Sequence, residues 1–207
     1  MISFTLDGHP VEVAREDISL LEALREDLRV RSVKDGCSPQ GQCGCCTVLV
    51  DGAARVACVT PIRRVAGRAV TTVDGLDTAV RDRLVGSFLD HGASQCGFCT
   101  PGIVCRLAAL PDGAGAAQVE NALLAHLCRC TGWRSIVDAA SSSPPGPTRR
   151  SDGGAQDGES AARAAARALI EGDSAQQWGP DVVLGRGGFA DDTAPDGCLV
   201  AVPRAGA

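Results

Sequence analysis

The spacing of its cysteines restricts the fold of this chain more than any other feature. The 207 residues include 11 cysteines, and most of them fall into two groups. The first group lies in a glycine-rich loop and consists of Cys37, Cys43, Cys45 and Cys46, with Cys58 after eleven intervening residues. The second group consists of two close pairs: Cys96 with Cys99, and Cys128 with Cys130. Because thiolates converge on a small metal centre most readily from tight loops, the pattern predicts two metal centres.

The first group follows the pattern of a plant-type [2Fe–2S] ferredoxin, with one difference. Two residues separate Cys43 from Cys46, as in that pattern, but five residues rather than four separate Cys37 from Cys43. Cys45 lies between two candidate ligands, and since adjacent side chains usually diverge, we expect it not to bind metal. Three glycines can supply the positive backbone dihedral angles that turn such a loop: Gly36, Gly41 and Gly44.

A zinc-binding module is the main alternative interpretation of these cysteines. The single residue between Cys128 and Cys130 is unusual for structural zinc, whose ligand pairs are commonly two to four residues apart. A lone cysteine more often packs as a small apolar side chain. We apply that interpretation to Cys105, within a predicted helix, and to Cys198, near the end of the chain.

The net charge and the N-terminal residues argue against nucleic-acid-binding, secreted and membrane-spanning proteins. The net charge of −5 gives no support for a nucleic-acid partner. The segment MISFTLDGHPVEV lacks the basic and apolar regions of a signal peptide, and no window approaches the roughly 18–20 apolar residues of a transmembrane helix. We therefore expect a cytoplasmic protein. In that reducing compartment, cysteines bind metal or carry out redox chemistry more often than they form disulfides.

The first third of the chain is predicted to form a small sheet around one helix. Alternating apolar residues over 2–14 indicate two strands joined at the Asp7-Gly8 turn. Ser19 and Glu22 form a capping box, which predicts that a helix begins there. Further strands are predicted at 47–52, 55–59 and 70–73.

From about Asp77 the spacing of apolar residues becomes helical. Four helices are predicted, at 77–91, 100–110, 116–127 and 133–140. Thr100 as N-cap and Pro101 at the first helical position mark the start of the second helix.

Composition changes after residue 140. Ser, Pro and Gly supply 12 of the 20 residues in 141–160, which predicts a flexible linker. The alanine-rich stretch 159–171 favours a short helix, and 181–203 contains two short β-like runs.

Three segments resemble the small iron–sulfur subunit of the molybdenum hydroxylases, the family of xanthine dehydrogenase, aldehyde oxidase and carbon monoxide dehydrogenase. They are GCSPQGQCGCCTVLVDG at 36–52, QCGFCTPGIV at 95–104 and LCRCTGW at 127–133. The resemblance covers about residues 1–140 and implies an α+β chain. A β-grasp, plant-type ferredoxin domain at 1–75 would precede an all-α, four-helix-bundle domain at 76–140. A linker at 141–180 and a mostly irregular tail at 181–207 would follow.

The resemblance also implies which residues bind cofactors, with one [2Fe–2S] cluster in each domain. The first cluster would be bound by Cys37, Cys43, Cys46 and Cys58. The second would be bound by Cys96, Cys99, Cys128 and Cys130. Gln95 matches the family residue that hydrogen-bonds the pterin, and Cys130 would contact the molybdopterin as well as iron.

The function implied by the resemblance is electron transfer within a molybdenum-dependent hydroxylase. Single electrons would pass from the molybdopterin centre through the two clusters to FAD or an external acceptor. The implied partners are a large subunit that binds molybdenum and a medium subunit that binds FAD, in a heterotrimer or its dimer. This chain would supply no catalytic residue. Residues 185–203 resemble the opening of the large subunit, so we expect 181–203 to dock there as strands.

The sequence departs from the family pattern at several positions. The loop after Cys37 is one residue longer, and Cys45 replaces a small residue. Ala125-His126 stands where the family usually has Gly-Asn, and Trp133 replaces a common Tyr. His126 could donate a hydrogen bond near the second cluster, but we expect it to be a packing residue. Besides the zinc module, a free-standing ferredoxin with a helical extension is the second alternative function.

Overall fold

A computed structural model describes residues 1–141, 166, 169–170, 179–189 and 192. Most of the predicted linker, most of the predicted helix at 159–171 and the second β-like run of the tail lie outside the described residues.

Five short strands near the N-terminus form one mixed sheet. They are β1 (Ile2–Leu6), β2 (His9–Val13), β3 (Thr47–Val50), β4 (Ala53–Val56) and β5 (Ala69–Thr71). Their order is β2-β1-β5-β3-β4, in which β1 and β5 are parallel and the other neighbours antiparallel. The predicted Asp7-Gly8 turn joins β1 to β2, and both of its residues adopt positive φ.

The helix that packs on this sheet begins where its cap was predicted. The Ser19 hydroxyl accepts a hydrogen bond from Glu22 N at 3.1 Å. The helix α1 (Leu20–Glu22) then widens into a π-helical turn (Ala23–Asp27). Apolar side chains of this helix and of the sheet share one core: Phe4, Leu20, Leu24 and Val48.

Four helices follow between residues 77 and 141. They are α2 (Thr78–Asp90), α3 (Thr100–Ala108), α4 (Ala116–Ala122) and α5 (Trp133–Ser141). They pack on one another, with α5 against α2 and α4. The sequence predicted Thr100 as the N-cap of α3, but Thr100 is the first residue of the helix and Cys99 is its N-cap. The Thr100 hydroxyl pairs with Ser94 Oγ at 2.9 Å rather than with a backbone N–H of the helix. None of the helices within the described residues has the length and apolar character needed to cross a membrane.

The described part of the tail differs from its prediction. Residues Pro180–Val183 form a short helix, α6, where a β-like run was expected. Val182, Val183 and Leu184 are buried, and Val183 and Leu184 belong to the same core as helices α2 and α3. Apolar contact with the chain's own helices therefore overrides the strand propensity of this segment.

Asp7 connects the β1–β2 turn by hydrogen bonds to the segment that leads into α2. Its carboxylate accepts hydrogen bonds from Thr72 N at 2.7 Å and from Thr72 Oγ1 at 2.8 Å, and Thr72 is fully buried. We expect Asp7→Ala to lower the free energy of unfolding by about 1–3 kcal/mol, because a buried N–H and a hydroxyl lose their acceptor. Chemical denaturation of the holoprotein measures the loss.

Two further variants control that measurement. Asp7→Asn keeps an oxygen acceptor and tolerates the φ of 48° at this position, so it should recover most of the lost stability. Asp112→Ala removes a carboxylate that is 97% exposed and should change stability by less than about 0.5 kcal/mol. Equal losses in Asp7→Ala and Asp112→Ala would contradict the role of Asp7.

Candidate metal centres

The loop at 36–46 has glycines at positions where a side chain would clash with cysteine sulfurs or with a neighbouring ring. Gly44 has a φ of +69°, and a Cβ there would lie 2.4 Å from Cδ2 of His126. A Cβ on Gly36 would lie 2.9 Å from Cys45 Sγ and 3.0 Å from Cys43 Sγ. Glycine is therefore required at both positions, at Gly44 by conformation and at Gly36 by the closeness of the sulfurs.

Backbone N–H groups point at the sulfurs of the first group. Gln40 N donates to Cys37 Sγ at 3.2 Å, and Cys58 N donates to Cys46 Sγ at 3.4 Å. Burial raises the pKa of the Cys37 thiol, but the surrounding backbone N–H groups, that of Gln42 foremost, outweigh it and lower the pKa to about 7. The loop therefore favours the thiolate form of Cys37, which is the form that binds metal.

In the first group, the four thiols that the resemblance implies as ligands lie in two pairs. Cys43 interacts with Cys37, and Cys46 interacts with Cys58. Cys58 reaches this position because a 3₁₀ turn (Ala57–Val59) follows β4, where the sequence predicted that the strand would continue. Cys37 is partly exposed, whereas the other three are buried.

The second group comes together between the start of α3 and the turn before α5. Sγ of Cys96 lies 3.6 Å from Sγ of Cys130, and the thiols of Cys99 and Cys128 interact. Burial raises the pKa of the Cys128 thiol, but nearby backbone N–H groups, led by that of Thr131 at 3.4 Å from the sulfur, lower it overall. Cys99 is buried while Cys96 and Cys130 are exposed, so this group opens to the surface on one side.

Backbone contacts join the two groups into one block. Leu127 N, next to Cys128, donates a hydrogen bond to Cys43 O at 3.0 Å. In α3, a Cβ on Gly102 would lie 2.3 Å from Gly44 O and 2.7 Å from Cys45 O. The backbone of α3 therefore lies directly against the loop of the first group.

His126 lies at this junction, a connection that the sequence did not reveal. The ring is buried against Gly44, and its Nε2 lies 3.3 Å from Thr47 Oγ1. Burial lowers the pKa of His126 to about 4, so the ring is neutral near pH 7. This position agrees with the packing role expected of His126. The departure from Gly-Asn at 125–126 marked the residue as unusual but did not indicate that it would contact the loop of the first group.

Gln95 lies on the exposed side of the second group, next to Cys96. Three large apolar side chains near the Cys128–Cys130 turn are also exposed: Leu124, Leu127 and Trp133. They line a surface groove of about 310 Å³. The contact of Gln95 and Cys130 with a pterin stays a prediction.

The remaining cysteines take other positions. Cys105 is fully buried in the helical core, as expected of a packing residue. Cys45 is buried beside Cys43, and burial raises the pKa of its thiol. Cys198 lies outside the described residues.

The chemistry of the two groups fits a [2Fe–2S] cluster in each. Each supplies four sulfur donors, which are the ligands such clusters take, and N–H groups that stabilise thiolate charge. Among the residues that the structure describes, no three His, Cys, Asp or Glu side chains converge closely enough to hold a single metal ion.

Comparison with known proteins accounts for both parts of the chain. Residues 4–63 match the family described as "2Fe-2S iron-sulfur cluster binding domain", and residues 72–141 match "[2Fe-2S] binding domain". Fold and site together define an iron–sulfur protein with two such domains.

Similar curated proteins identify the family. One subunit of the nicotinate dehydrogenase of Pseudomonas putida is 42% identical over 134 residues, which are 62% of this chain and 85% of that protein. The alpha subunit of the isoquinoline 1-oxidoreductase of Brevundimonas diminuta is 39% identical over 142 residues, which are 66% of this chain and 92% of that protein. The chain belongs to the iron–sulfur subunits of the molybdenum hydroxylase family.

Solved structures agree with this assignment. Quinoline 2-oxidoreductase from Pseudomonas putida 86 superposes with a TM-score of 0.60 and 36% identity, covering 68% of this chain and 90% of the matched chain. Aldehyde oxidoreductase from Desulfovibrio gigas superposes with a TM-score of 0.62 and 30% identity, covering 84% of this chain and 18% of the matched one.

Proposed function

We propose that this chain is the electron-transfer subunit of a molybdenum-dependent hydroxylase, relaying single electrons from a molybdopterin centre to FAD or an external acceptor. The observation that carries the proposal is the junction of the two thiol groups, held by the hydrogen bond from Leu127 N to Cys43 O. Two one-electron centres in one block of protein are what such a relay requires. The names of its relatives, which are subunits of oxidoreductases, support the same function.

We propose the eight grouped cysteines as the cluster ligands. The first cluster is assigned to Cys37, Cys43, Cys46 and Cys58. The second is assigned to Cys96, Cys99, Cys128 and Cys130. When bound, [2Fe–2S] clusters supply one-electron redox chemistry. The chain holds the iron through thiolates, donates backbone hydrogen bonds to the sulfurs and excludes water from the buried ligands.

The exposed side of the second group is the proposed contact with the molybdenum-binding subunit. Gln95 and Cys130 would meet the pterin there, and the exposed Leu127 and Trp133 would be covered by that subunit. The partly exposed Cys37 would face the FAD-binding subunit. We further propose that the three subunits form a heterotrimer or a dimer of it. The boundary between the two domains of this chain is placed near residue 75.

Purified protein tests the function directly. We expect about four iron atoms and four acid-labile sulfides per chain, a red-brown colour, and two distinct reduced-cluster signals by electron paramagnetic resonance. A colourless protein that contains zinc would overturn the proposal in favour of a structural zinc module.

Native purification distinguishes the proposed electron-transfer subunit from a free-standing ferredoxin. Native purification should recover the chain together with a molybdenum-containing subunit, and the complex should reduce FAD when an oxidisable substrate is added. Recovery of an iron-loaded monomer, with neither molybdenum nor flavin present under native conditions, would favour the free-standing ferredoxin.

A further inference from the structure

We propose that residues 179–189 and 192 form a C-terminal clasp that binds this chain's own two domains and holds them together. The clasp lies against a surface made by Arg25 and Lys34 from the first domain and by the Gly97–Pro101 segment from the second. The proposal replaces the expectation that this part of the tail docks on another protein as a strand.

Buried charge is the first observation. Lys34 is the only lysine of the chain, and its side chain is 1% exposed. Its Nζ donates to Arg31 O at 2.6 Å and to Asp192 Oδ2, while Arg25 Nη2 donates to Asp192 Oδ1 at 3.1 Å. A buried cation must be neutralised by a well-placed anion, because the desolvation of the charge is otherwise uncompensated. Asp192, itself 10% exposed, supplies this negative charge from the far end of the chain.

Close backbone contact is the second observation. Gly97 has a φ of +78°, and a Cβ there would lie 2.2 Å from Val182 O. Gly185 has a φ of +79°, and a Cβ there would lie 2.4 Å from Pro101 Cγ. Glycine is thus needed on both sides of the contact. Such mutual fit is typical of a specific packed interface rather than of a loop resting on a surface.

Aromatic and ionic contacts extend the interface to both domains. The rings of Phe189 and Phe98 meet edge to face with centroids 5.1 Å apart, and Lys34 Nζ lies 5.1 Å from the centroid of Phe189. Arg186 Nη2 donates to Asp74 Oδ1 at 3.0 Å, in the segment that joins the domains. Because the clasp touches Lys34 and Phe98 at once, it restrains the Cys96–Cys99 loop relative to the first domain.

Cleavage of the full-length holoprotein tests the clasp. A site-specific protease sequence is placed within residues 142–178, and the protein is cleaved after both clusters have been verified by iron content. The C-terminal fragment should co-elute with the domains in size-exclusion chromatography, and a labelled peptide of residues 179–192 should compete with it. A fragment that elutes alone from iron-loaded domains would overturn the proposal.

Matched variants test the contacts. Asp192→Asn should weaken peptide binding about 100-fold, because it removes a negative charge that two buried cations contact directly. Asp181→Asn is the control, since the Asp181 side chain is 57% exposed and its described ion pair, with Arg186, lies at the surface. The affinity of the peptide should then change less than about 3-fold. Gly185→Ala should also weaken peptide binding, because the added methyl group would clash with Pro101. Equal affinities for the Asp192 and Asp181 variants, or a dimer that exchanges the segment, would overturn the proposal. Neither readout requires partner subunits, so failure here is distinct from failure of the proposed relay.

Discussion

Cys46→Ser should remove about half of the iron from the purified chain, and Cys99→Ser should remove the other half. Both residues are buried within separate groups of thiols, and each proposed cluster takes four cysteine ligands. A serine hydroxyl is far less acidic than a thiol and is a harder, weaker ligand for the iron of such a cluster. Iron and sulfide content give the loss, and electron paramagnetic resonance of the reduced protein shows which of the two signals disappears. Either variant should also stop electron transfer through the chain, because one of two consecutive centres is missing.

Cys45→Ala is the matched control for these variants. Cys45 is as buried as its neighbours and lies beside Cys43. We assign it no iron because its side chain is expected to diverge from that of the consecutive Cys46. We therefore expect this variant to keep about four iron atoms and both reduced signals. Loss of the first signal in Cys45→Ala, together with its retention in Cys43→Ser, would show that the longer loop after Cys37 exchanges the ligands.

Local patterns in the sequence predict the elements that carry the site. The Ser19 cap, the Asp7-Gly8 turn and the grouping of the cysteines depend on residues close together in the chain or on ligand spacing, and the structure has each of them. Dense cysteine spacing is informative because few arrangements can bring so many thiols together.

Contacts between distant residues could not be predicted in the same way. The pairing of His126 with Thr47 and of Lys34 with Asp192 spans 79 and 158 residues of chain. Neither pair produces a periodic pattern in the sequence, because each depends on how helices, strands and loops pack against one another. A single lysine in a chain that otherwise uses arginine was the available signal for the second contact, since lysine offers a compact charge where arginine offers a broad fork.

Gly102→Ala should destabilise the holoprotein by about 1–3 kcal/mol and slow electron transfer between the two clusters. A Cβ at this position in α3 would lie 2.3 Å from Gly44 O, and backbone atoms cannot yield as a flexible side chain can. The methyl group must therefore push α3 and the loop of the first group apart, across the junction where Leu127 N meets Cys43 O. Denaturation midpoints at equal iron content give the loss of stability. Rapid reduction, followed at each cluster's own signal, gives the rate.

Gly86→Ala separates this steric effect from the general effect of alanine in a helix. Gly86 lies within α2, and a Cβ there would meet no atom within 4 Å. Alanine favours a helix over glycine by roughly 0.5–1 kcal/mol, so Gly86→Ala should raise stability and leave the transfer rate unchanged. The two variants make the same chemical change in neighbouring helices and should shift stability in opposite directions. If both raised stability, α3 and the loop of the first group would not be in contact, and the junction would have to be carried by the Leu127 hydrogen bond alone.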